Sequence, residues 1–399
     1  MFESIIFKPY THPYSHIDIG ALAESLLFYG RVGVVGNSQT LENIFKIINP
    51  NTFLGLMRDK RIDFHYLTDI AAIQSQKLPD GKDVHNLAVV YMPSQQPDVI
   101  AEKLFRIASG NTKTSRQNAA RFTDLIKPIN HDGFNQDAAL SIISTDAAMV
   151  DRSVQRLLKV VAPEYISPSP QVFKIEKAEN GIVVESNLDF TSLNAAYNKS
   201  ISSEISSLSD KLILSHLQES LITVHFSAKL NSEVAVNPLE QAIYSQAIES
   251  LVQRHSKSKE QIEAFTEMTL PVTYSIREMV NSGKVKFSEV VQLLDKAGRF
   301  KAWLKDKPPD GNLLKEFYNA TVESTWIEKL PTKTTRWAIF TGIGMAIDVL
   351  ATGGIGTAVG LAVSLFDSFL LEKIASGWKP HQFIEGPFKA TFSGTAPSS

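Results

Sequence analysis

The feature that most constrains the fold is a long apolar stretch near the C-terminus, residues 334–378. Asp348 interrupts it, and Val349–Phe366 then gives eighteen uncharged residues in a row. A helix that is apolar on all sides must be buried, in protein or in lipid. Because neighbouring glycines break helices, Gly353 and Gly354 predict a hydrophobic helical hairpin whose two arms fold back on each other.

Small residues recur along both arms of this hairpin at intervals of four. They are Gly356, Gly360, Ser364 and Ser368 on the second arm, and Gly342 and Ala346 on the first. Small side chains at this spacing let two helix backbones approach closely, as in membrane helices. We therefore predict that the arms pack through these residues, with Gly353 and Gly354 at the turn.

Basic residues flank the apolar stretch on both sides. Crossing about 30 Å of hydrocarbon takes about 20 helical residues, so the first arm is short for a full span. Basic side chains on both outer flanks are typical of a hairpin with both ends in the cytoplasm. The residues predicted to contact a membrane surface or a partner protein are Lys329, Lys333, Arg336, Trp337 and Lys373.

The composition is that of a folded protein, with 43% hydrophobic and 21% charged residues among 399. That length predicts two or three folding units. Residues 163–171 are rich in proline, which favours extended backbone and predicts a linker. The expected organisation is an α/β domain with trailing helices over 1–162, this linker, a β-hairpin and helical domain over 172–388, and a flexible tail over 389–399.

Alternating strand and helix patterns predict the α/β domain. Gly30–Gly36 is a short β-branched run bounded by glycines, and helical patterns begin near Thr40 and Thr52. Ile62–Leu67 alternates as a half-buried strand does, and Leu87–Tyr91 is typical of a buried strand. The predicted fold class is mixed α/β in the N-terminal part and predominantly α-helical in the C-terminal domain that contains the hairpin.

The residues after the linker predict a β-hairpin followed by helices. Val172–Ile175 and Gly181–Glu185 flank a Glu-Asn-Gly turn. Leu221–Leu230 alternates well enough to be predicted as their partner strand. Further on the pattern is helical, and basic residues interleaved with Phe300 and Trp303 predict a helix that binds a surface.

Composition and charge exclude several function classes. The chain has no cysteine, which excludes disulfides, thiolate zinc sites and a cysteine nucleophile. A net charge of -2 argues against nonspecific nucleic-acid binding, which needs a clustered excess of Lys and Arg. The first residues lack the pattern of a secretory signal. We therefore expect a cytoplasmic protein, peripheral to a membrane if it binds one, with no nucleic acid among its partners.

Gly30, Gly33 and Gly36 invite comparison with phosphate-binding loops, but their spacing differs. A Walker loop needs a lysine that this turn lacks, and the order of glycines does not match the dinucleotide fingerprint. We expect Ser38 or Thr40 to act as an ordinary helix N-cap here. The sequence therefore predicts no cofactor.

Two histidine-containing segments carry residue types that ligate metals. His12, His16 and Asp18 are close in sequence, but an adjacent proline interrupts a regular helix and a surface loop accounts for them as well. His131 begins a His-Asp-Gly sequence that an ordinary turn explains. We predict no metal site and no catalytic residue.

The expected function follows from the hairpin, because the chain carries no recognisable catalytic motif. We predict a non-enzymatic cytoplasmic protein whose C-terminal hairpin engages a membrane or a partner protein under the control of the N-terminal domain. Three alternatives stay open: a hairpin permanently buried in the helical domain, a soluble enzyme with a site near Gly36 or His12 at the ends of the N-terminal strands, and a structural subunit of a larger assembly.

Overall fold

The computed structural model describes residues 2–9, 17–79, 81, 83–91, 97–109, 112–134, 144, 146–178, 181–200, 207–235, 249–269, 275–308, 311–313, 315–317 and 380–392. Its strands are β1 Ser4–Phe7, β2 Arg31–Gly36, β3 Ile62–Leu67, β4 Asp69–Lys77, β5 Asp83–Tyr91, β6 Lys127–Ile129, β7 Phe173–Ala178, β8 Gly181–Ser186 and β9 Glu233–Val234. Its helices are α1 Ile19–Phe28, α2 Ser38–Ile47, α3 Pro50–Arg58, α4 Pro97–Ser109, α5 Thr112–Leu125, α6 Ala147–Val161, α7 Phe190–Ser200, α8 Asp210–Leu230, α9 Glu249–Thr269, α10 Ile276–Asn281, α11 Phe287–Lys296, α12 Gly298–Lys305, α13 Pro380–Phe383 and α14 Lys389–Phe392.

The chain divides into two compact units that are discontinuous in sequence. The first unit consists of Met1–Ile5, Asp18–Val32 and Ser256–Ser399, and the second unit consists of Ile6–Ile17 and Gly33–His255. Residues 163–171, the predicted linker, fall within the second unit. The domain bounds drawn from the sequence stay a prediction.

A five-stranded sheet has the strand order β6-β3-β2-β1-β9. The alternation of β3 buries Ile62, Phe64 and Tyr66, so the prediction of this strand is confirmed, as is that of β2. β3 and β6 are parallel neighbours, with Leu67 opposite Ile129 at their carboxyl ends. The residues that follow these two strands therefore begin at one edge of the sheet.

A four-stranded antiparallel sheet has the order β4-β5-β8-β7. The hairpin predicted after the linker is confirmed as β7 and β8, paired from Phe173 with Ser186 to Ala178 with Gly181. Its neighbour is β5, and the outer strand is β4. Together with the five-stranded sheet it confirms the mixed α/β character of the N-terminal part.

Helix α8 corrects one prediction. Leu221–Leu230, predicted as a strand, is the second half of this helix, so that prediction is wrong. The misleading alternation arises because α8 is buried on several faces. Its first half, with Ile213 and Leu217, belongs to the hydrophobic cluster of the four-stranded sheet, whereas Ile222 and Phe226 belong to that of the five-stranded sheet.

The ends of α8 carry ordinary helix signals. The side chain of Ser209 accepts a hydrogen bond from the N–H of Leu212 at the N-terminus. Asn231 ends the helix in the left-handed conformation, with a φ of 45°. These capping residues, rather than the apolar pattern, identify the helix.

The first unit is built from helices around a group of aromatic rings. Helix α1 packs against α10, α11 and α12. The ring-to-ring contacts define an aromatic cluster that consists of Phe28, Phe265, Phe300, Trp303, Phe317, Phe383, Phe388 and Phe392. Helices α9 to α12 agree with the predicted helical character of the C-terminal part, and the predicted hairpin lies outside the described residues.

Two surface predictions for the C-terminal part change with this arrangement. The apolar side of α12 is buried, because Phe300 stacks on Phe383 and Lys301 donates to the carbonyl of Leu26 at 2.9 Å. A surface-binding role for this helix is therefore wrong. The segment predicted as a flexible tail begins with α14, whose Phe392 is buried, and residues 393–399 lie outside the described range.

Candidate functional site

The residues predicted to form and flank the apolar hairpin lie outside the part of the chain that the structure describes. They are Gly342, Ala346, Gly353, Gly354, Gly356, Gly360 and Ser364 for packing, and Lys329, Lys333, Arg336, Trp337 and Lys373 for surface contact. These residues belong to the stretch 318–379, which the structure does not describe. The residues on either side of it, 315–317 and 380–392, are described. These two flanking segments locate the chain just before and just after residues 318–379.

The described residues that flank 318–379 lie in the aromatic cluster on both sides. Before the stretch, the ring of Phe317 is 5.1 Å from the ring of Phe265. After it, the ring of Phe383 is 5.0 Å from the ring of Phe300. Phe265 and Phe300 stack on each other at 6.2 Å. The described residues before and after 318–379 therefore share one core.

Asp18, one of the three residues weighed as metal ligands, has its carboxylate committed to capping and ion pairing. It accepts hydrogen bonds from the N–H of Ala21 at 2.8 Å and from Asn281 at 2.9 Å, and it lies 2.5 Å from Nη2 of Arg277. His12 and His16 lie outside the described residues. Within the described ranges, no group of three His, Asp or Glu side chains could hold a metal ion.

The turn after β2 is a helix cap. Asn37 is the N-cap of α2, so the expectation of Ser38 or Thr40 at that position is wrong. The side chain of Asn37 accepts hydrogen bonds from the second and third N–H groups of the helix, and Thr40 accepts one from the N–H of Asn37 at 3.3 Å. A Cβ on Gly36 would lie 2.5 Å from Thr40. Glycine is thus required here for close packing against the cap.

Asp69 and His131 form a pair at the carboxyl ends of β3 and β6. Nδ1 of His131 lies 2.7 Å from Oδ1 of Asp69, and the N–H of His131 donates to the same carboxylate at 3.2 Å. The side chain of His131 is only 3% exposed and that of Asp69 is 12% exposed. Because a carboxylate oxygen accepts, Nδ1 of His131 donates to Asp69, and this contact orients the ring in the way that histidine bases are oriented.

The predicted turn around His131 is present in the structure. The N–H of Phe134 donates to the carbonyl of His131 at 2.9 Å, and Gly133 has a φ of 84°. Asp132 is not the partner of the histidine, because it accepts a hydrogen bond from Asn130 at 2.6 Å. Sequence reasoning missed the true partner, which lies 62 positions away. Its only signal is its place immediately after a predicted strand.

Helix α8 brings a second histidine to this pair. The ring of Phe226 lies 5.2 Å from the ring of His131 and 5.3 Å from the ring of His225. Burial, with Lys229 and His131 nearby, lowers the pKa of His225 and keeps it neutral at pH 7. Nε2 of His225 is buried without a hydrogen-bond partner within the described residues. The strand end therefore carries two imidazoles that both contact Phe226.

A buried ion pair joins β1 to the same helix. Lys8 follows β1 and pairs with Glu219 of α8, and their side chains are 3% and 13% exposed. His216, one turn earlier, is almost completely buried, and this burial lowers its pKa to about 4. The helix thus holds one paired charge and one neutral imidazole in its interior-facing part.

The four-stranded sheet holds a hydroxyl–imidazole pair. Ser75 of β4 lies opposite His85 of β5, and its Oγ is 2.8 Å from Nδ1 of the histidine. Burial lowers the pKa of His85, and Asp83 opposes that shift. Such a pair resembles part of a nucleophilic site. Here it occupies a cross-strand register position, which makes it an ordinary sheet contact.

Among the helices that the structure describes, none has both the length and the apolar character needed to cross a membrane. Comparisons with protein-family models, with curated proteins and with solved structures find no match for this chain. Function is therefore argued from the chain's own residues.

Proposed function

We propose that this protein is non-enzymatic and that its apolar segment, residues 334–378, engages a membrane surface from the cytoplasm under the control of the rest of the chain. One observation carries the proposal: the described residues on the two sides of 318–379, Phe317 and Phe383, both have their rings in the aromatic cluster. An apolar segment held at both ends is a loop that enters and leaves any surface on the same side.

The core of the first unit supports this proposal. Phe28, Phe265 and Phe300 are fully buried and their rings contact one another. These side chains supply a hydrophobic centre among the described helices. The eighteen uncharged residues Val349–Phe366 need an apolar environment of their own, which we propose lies outside this core. Lipid and a partner protein are the two candidates for that environment.

Charge favours an anionic lipid surface. Lys329, Lys333 and Arg336 precede the apolar run, and Lys373 follows it. Each basic residue close to an anionic membrane contributes about 1 kcal/mol to binding. Because both ends are anchored on one unit, both basic flanks reach the same membrane face, as the positive-inside rule expects for a hairpin with cytoplasmic ends.

The experiment is co-sedimentation of the full chain with vesicles of phosphatidylcholine alone or mixed with phosphatidylserine. We expect binding to the mixed vesicles and much less to the neutral ones, with the difference reduced by salt. Replacing Lys329, Lys333, Arg336 and Lys373 by Gln should weaken binding by about a thousandfold, from about 1 kcal/mol for each charge.

A matched control keeps the net-charge change but moves it elsewhere. Lys77, Lys103, Arg156 and Lys159 are exposed residues of the described chain. Replacing these four by Gln should leave vesicle binding within about twofold of the unmodified chain, since none of them flanks the apolar run in the sequence. Equal losses in the two variants, or no binding to either vesicle, would overturn the membrane proposal. Recovery of a defined protein complex instead would favour a partner protein.

A ligand site at the strand ends is the second candidate, favoured by the Asp69–His131 pair. This pair lies where ligands bind in open α/β sheets, beyond the carboxyl ends of parallel strands. Inorganic phosphate is a suitable first probe, because the ammonium group of Lys229, which donates to the carbonyls of Asn130 and Asp132, favours anions nearby. A rise in melting temperature with phosphate that His131→Gln abolishes would support this candidate.

A further inference from the structure

Strand β7 forms one edge of the four-stranded sheet, at the end of the strand order β4-β5-β8-β7. Its side chains alternate between the two faces of the sheet. Phe173 and Ile175 are buried in the hydrophobic cluster of this sheet, together with residues of α6. Lys174 and Glu176 lie on the other face and are exposed. Among the strands that the structure describes, none pairs with the outer side of β7.

The hydrogen bonds at the start of β7 show which of its backbone groups face outward. The N–H of Asn187 donates to the carbonyl of Val172 at 3.2 Å, and the N–H of Val172 donates to Oδ1 of Asn187 at 2.8 Å. Val172 therefore points its backbone groups towards β8. Because this direction alternates along an antiparallel pair of strands, Phe173, Ile175 and Lys177 point their N–H and C=O groups outward. An edge of this kind is a template for another strand.

A second copy of β7 matches this edge in its backbone and in its charges. Antiparallel pairing about a twofold axis at Ile175 places Ile175 opposite Ile175 and Phe173 opposite Lys177, so the outward backbone groups meet. The same register places Lys174 of each copy opposite Glu176 of the other. These are non-hydrogen-bonded pairs, in which the side chains lie closest, and opposite charges there are stabilising.

Charge also disfavours the two neighbouring registers in which outward backbone groups meet. An axis at Lys174 would place two lysines opposite each other, and an axis at Glu176 would place two glutamates opposite each other. Within one copy, Lys174 and Glu176 already form an ion pair at 2.5 Å. Both side chains therefore lie along the exposed face of the strand, where a second copy can share them.

The start of the strand adds an apolar contact in the same register. Val172 is 37% exposed. With the axis at Ile175, it lies opposite Ala178 of the second copy, on the same face as Lys174 and Glu176. Pairing would therefore remove apolar surface of Val172 from water.

We propose that this protein forms a twofold dimer in which the β7 strands of two copies pair antiparallel about Ile175 and join their four-stranded sheets edge to edge. The partner is a second copy of this chain, recognised through the Lys174–Glu176 pairs. The contact uses the second unit alone and does not depend on residues 318–379. Because one short strand from each copy pairs, the buried area is small, and we expect a reversible dimer that dissociates at micromolar concentrations.

Sedimentation equilibrium of the full chain over a series of concentrations measures this dimer. We expect the mass to approach twice that of one chain at high concentration. Lys174→Glu places glutamates opposite each other and should weaken dimerisation by about tenfold or more, as should Glu176→Lys. Lys77→Glu, at an exposed position of β4, makes the same charge change as Lys174→Glu and should leave the dissociation constant within about twofold. The mass of a single chain at every concentration would overturn the dimer.

Mixing the two charge variants tests the register itself. Each variant alone has like charges opposite each other, whereas Lys174→Glu meets Glu176→Lys through two pairs of opposite charge. Because the ion pair within one copy is broken in both variants, a gain in the mixture reports the contact between copies. We expect the mass to double in the mixture at concentrations where each variant alone is a monomer. A mixture that stays monomeric, or dimers that persist in each variant alone, would overturn the β7 register.

Lys177→Pro tests the backbone pairing. Proline removes the outward N–H of position 177, which faces Phe173 of the second copy, and leaves the hydrogen bonds between β7 and β8 in place. Lys177→Gln removes the same charge and keeps this N–H, so it is the matched control. We expect a dissociation constant several-fold higher for Lys177→Pro than for Lys177→Gln. Equal dissociation constants would show that β7 does not pair through this edge.

Discussion

The ring of Phe383 stacks on the ring of Phe300, with the centroids 5.0 Å apart and the planes at 24°. These two residues are far apart in sequence, and the apolar segment lies between them. Their contact places the residues that follow 318–379 in the core of the first unit. It is therefore the contact whose removal tests the anchoring most directly.

Replacing Phe383 by Ala should lower the free energy of unfolding by about 3–5 kcal/mol, the usual cost of truncating a buried Phe. Phe383 is 3% exposed, so the variant leaves a cavity beside Phe300. Denaturant unfolding measures the change. Gln382→Ala, at the exposed neighbouring position, is the control and should stay within about 0.5 kcal/mol. Equal midpoints for the two variants would contradict the anchoring.

The Asp69–His131 pair should show coupling in a double-mutant cycle. Asp69→Asn removes the charge that accepts two hydrogen bonds from His131, which should cost about 1.5–3 kcal/mol of stability. His131→Gln should cost a similar amount, and the double variant less than the sum by about 0.5–3 kcal/mol. Additive losses would show that the two side chains act independently.

Two buried groups should make stability depend on pH in opposite directions. The folded pKa of His216 is about 4, below its ordinary 6.5, so its contribution is present above pH 6.5 and is lost as the pH falls towards 4. The folded pKa of Glu24 is about 7, above its ordinary 4.5, so its contribution is present below pH 4.5 and is lost as the pH rises towards 7. Each shift corresponds to about 3 kcal/mol.

Denaturant unfolding curves measured from pH 4 to pH 8 test the two losses of stability separately. We call the loss towards pH 4 the acid limb of the profile. Glu24→Gln should remove the loss on the alkaline side and leave the acid limb of His216. His216→Gln should remove the acid limb and leave the decline towards pH 7. Unchanged pH profiles in both variants would mean that neither group titrates as its burial implies.

A pair of glycines gives opposite predictions for the same substitution. A Cβ on Gly20 of α1 would lie 2.2 Å from the carbonyl oxygen of Arg277, so Gly20→Ala should push α1 from α10 and cost about 1–3 kcal/mol. A Cβ on Gly55 of α3 meets nothing within 4 Å. Gly55→Ala should therefore stabilise by up to about 1 kcal/mol through helix propensity. Thermal unfolding measures the melting temperature of both variants. Equal decreases in melting temperature would refute the close approach of α1 and α10.

Elements with one buried face could be predicted from the sequence. In β3 the alternation of Ile62, Phe64 and Tyr66 with polar residues matches one face on a core. In α6 the apolar residues Val154 and Leu158 recur at helical spacing and are buried. A local pattern is sufficient in these cases because each element packs on a single side.

Sequence analysis did not predict elements that lack a single, regularly buried face. In β4 only Ile73 is buried, so its side chains show no regular alternation. β6 has three residues, too few for any pattern. The site follows the same logic, since Asp69 and His131 meet only through the pairing of β3 with β6. The contacts of Asp18 with Arg277 and Asn281 likewise join residues more than two hundred positions apart.

Helix α8 shares its two halves between the hydrophobic clusters of both sheets. If one sheet unfolded, the half of α8 that packs on it would expose its apolar side chains to water. This exposure would destabilise the helix and therefore its packing on the other sheet. We therefore expect the two sheets to unfold as one cooperative unit rather than one after the other. The backbone amides in the middle of α8, between Leu217 and Ile222, should then be among the slowest-exchanging of the described chain, because unfolding of the whole second unit is needed to free them.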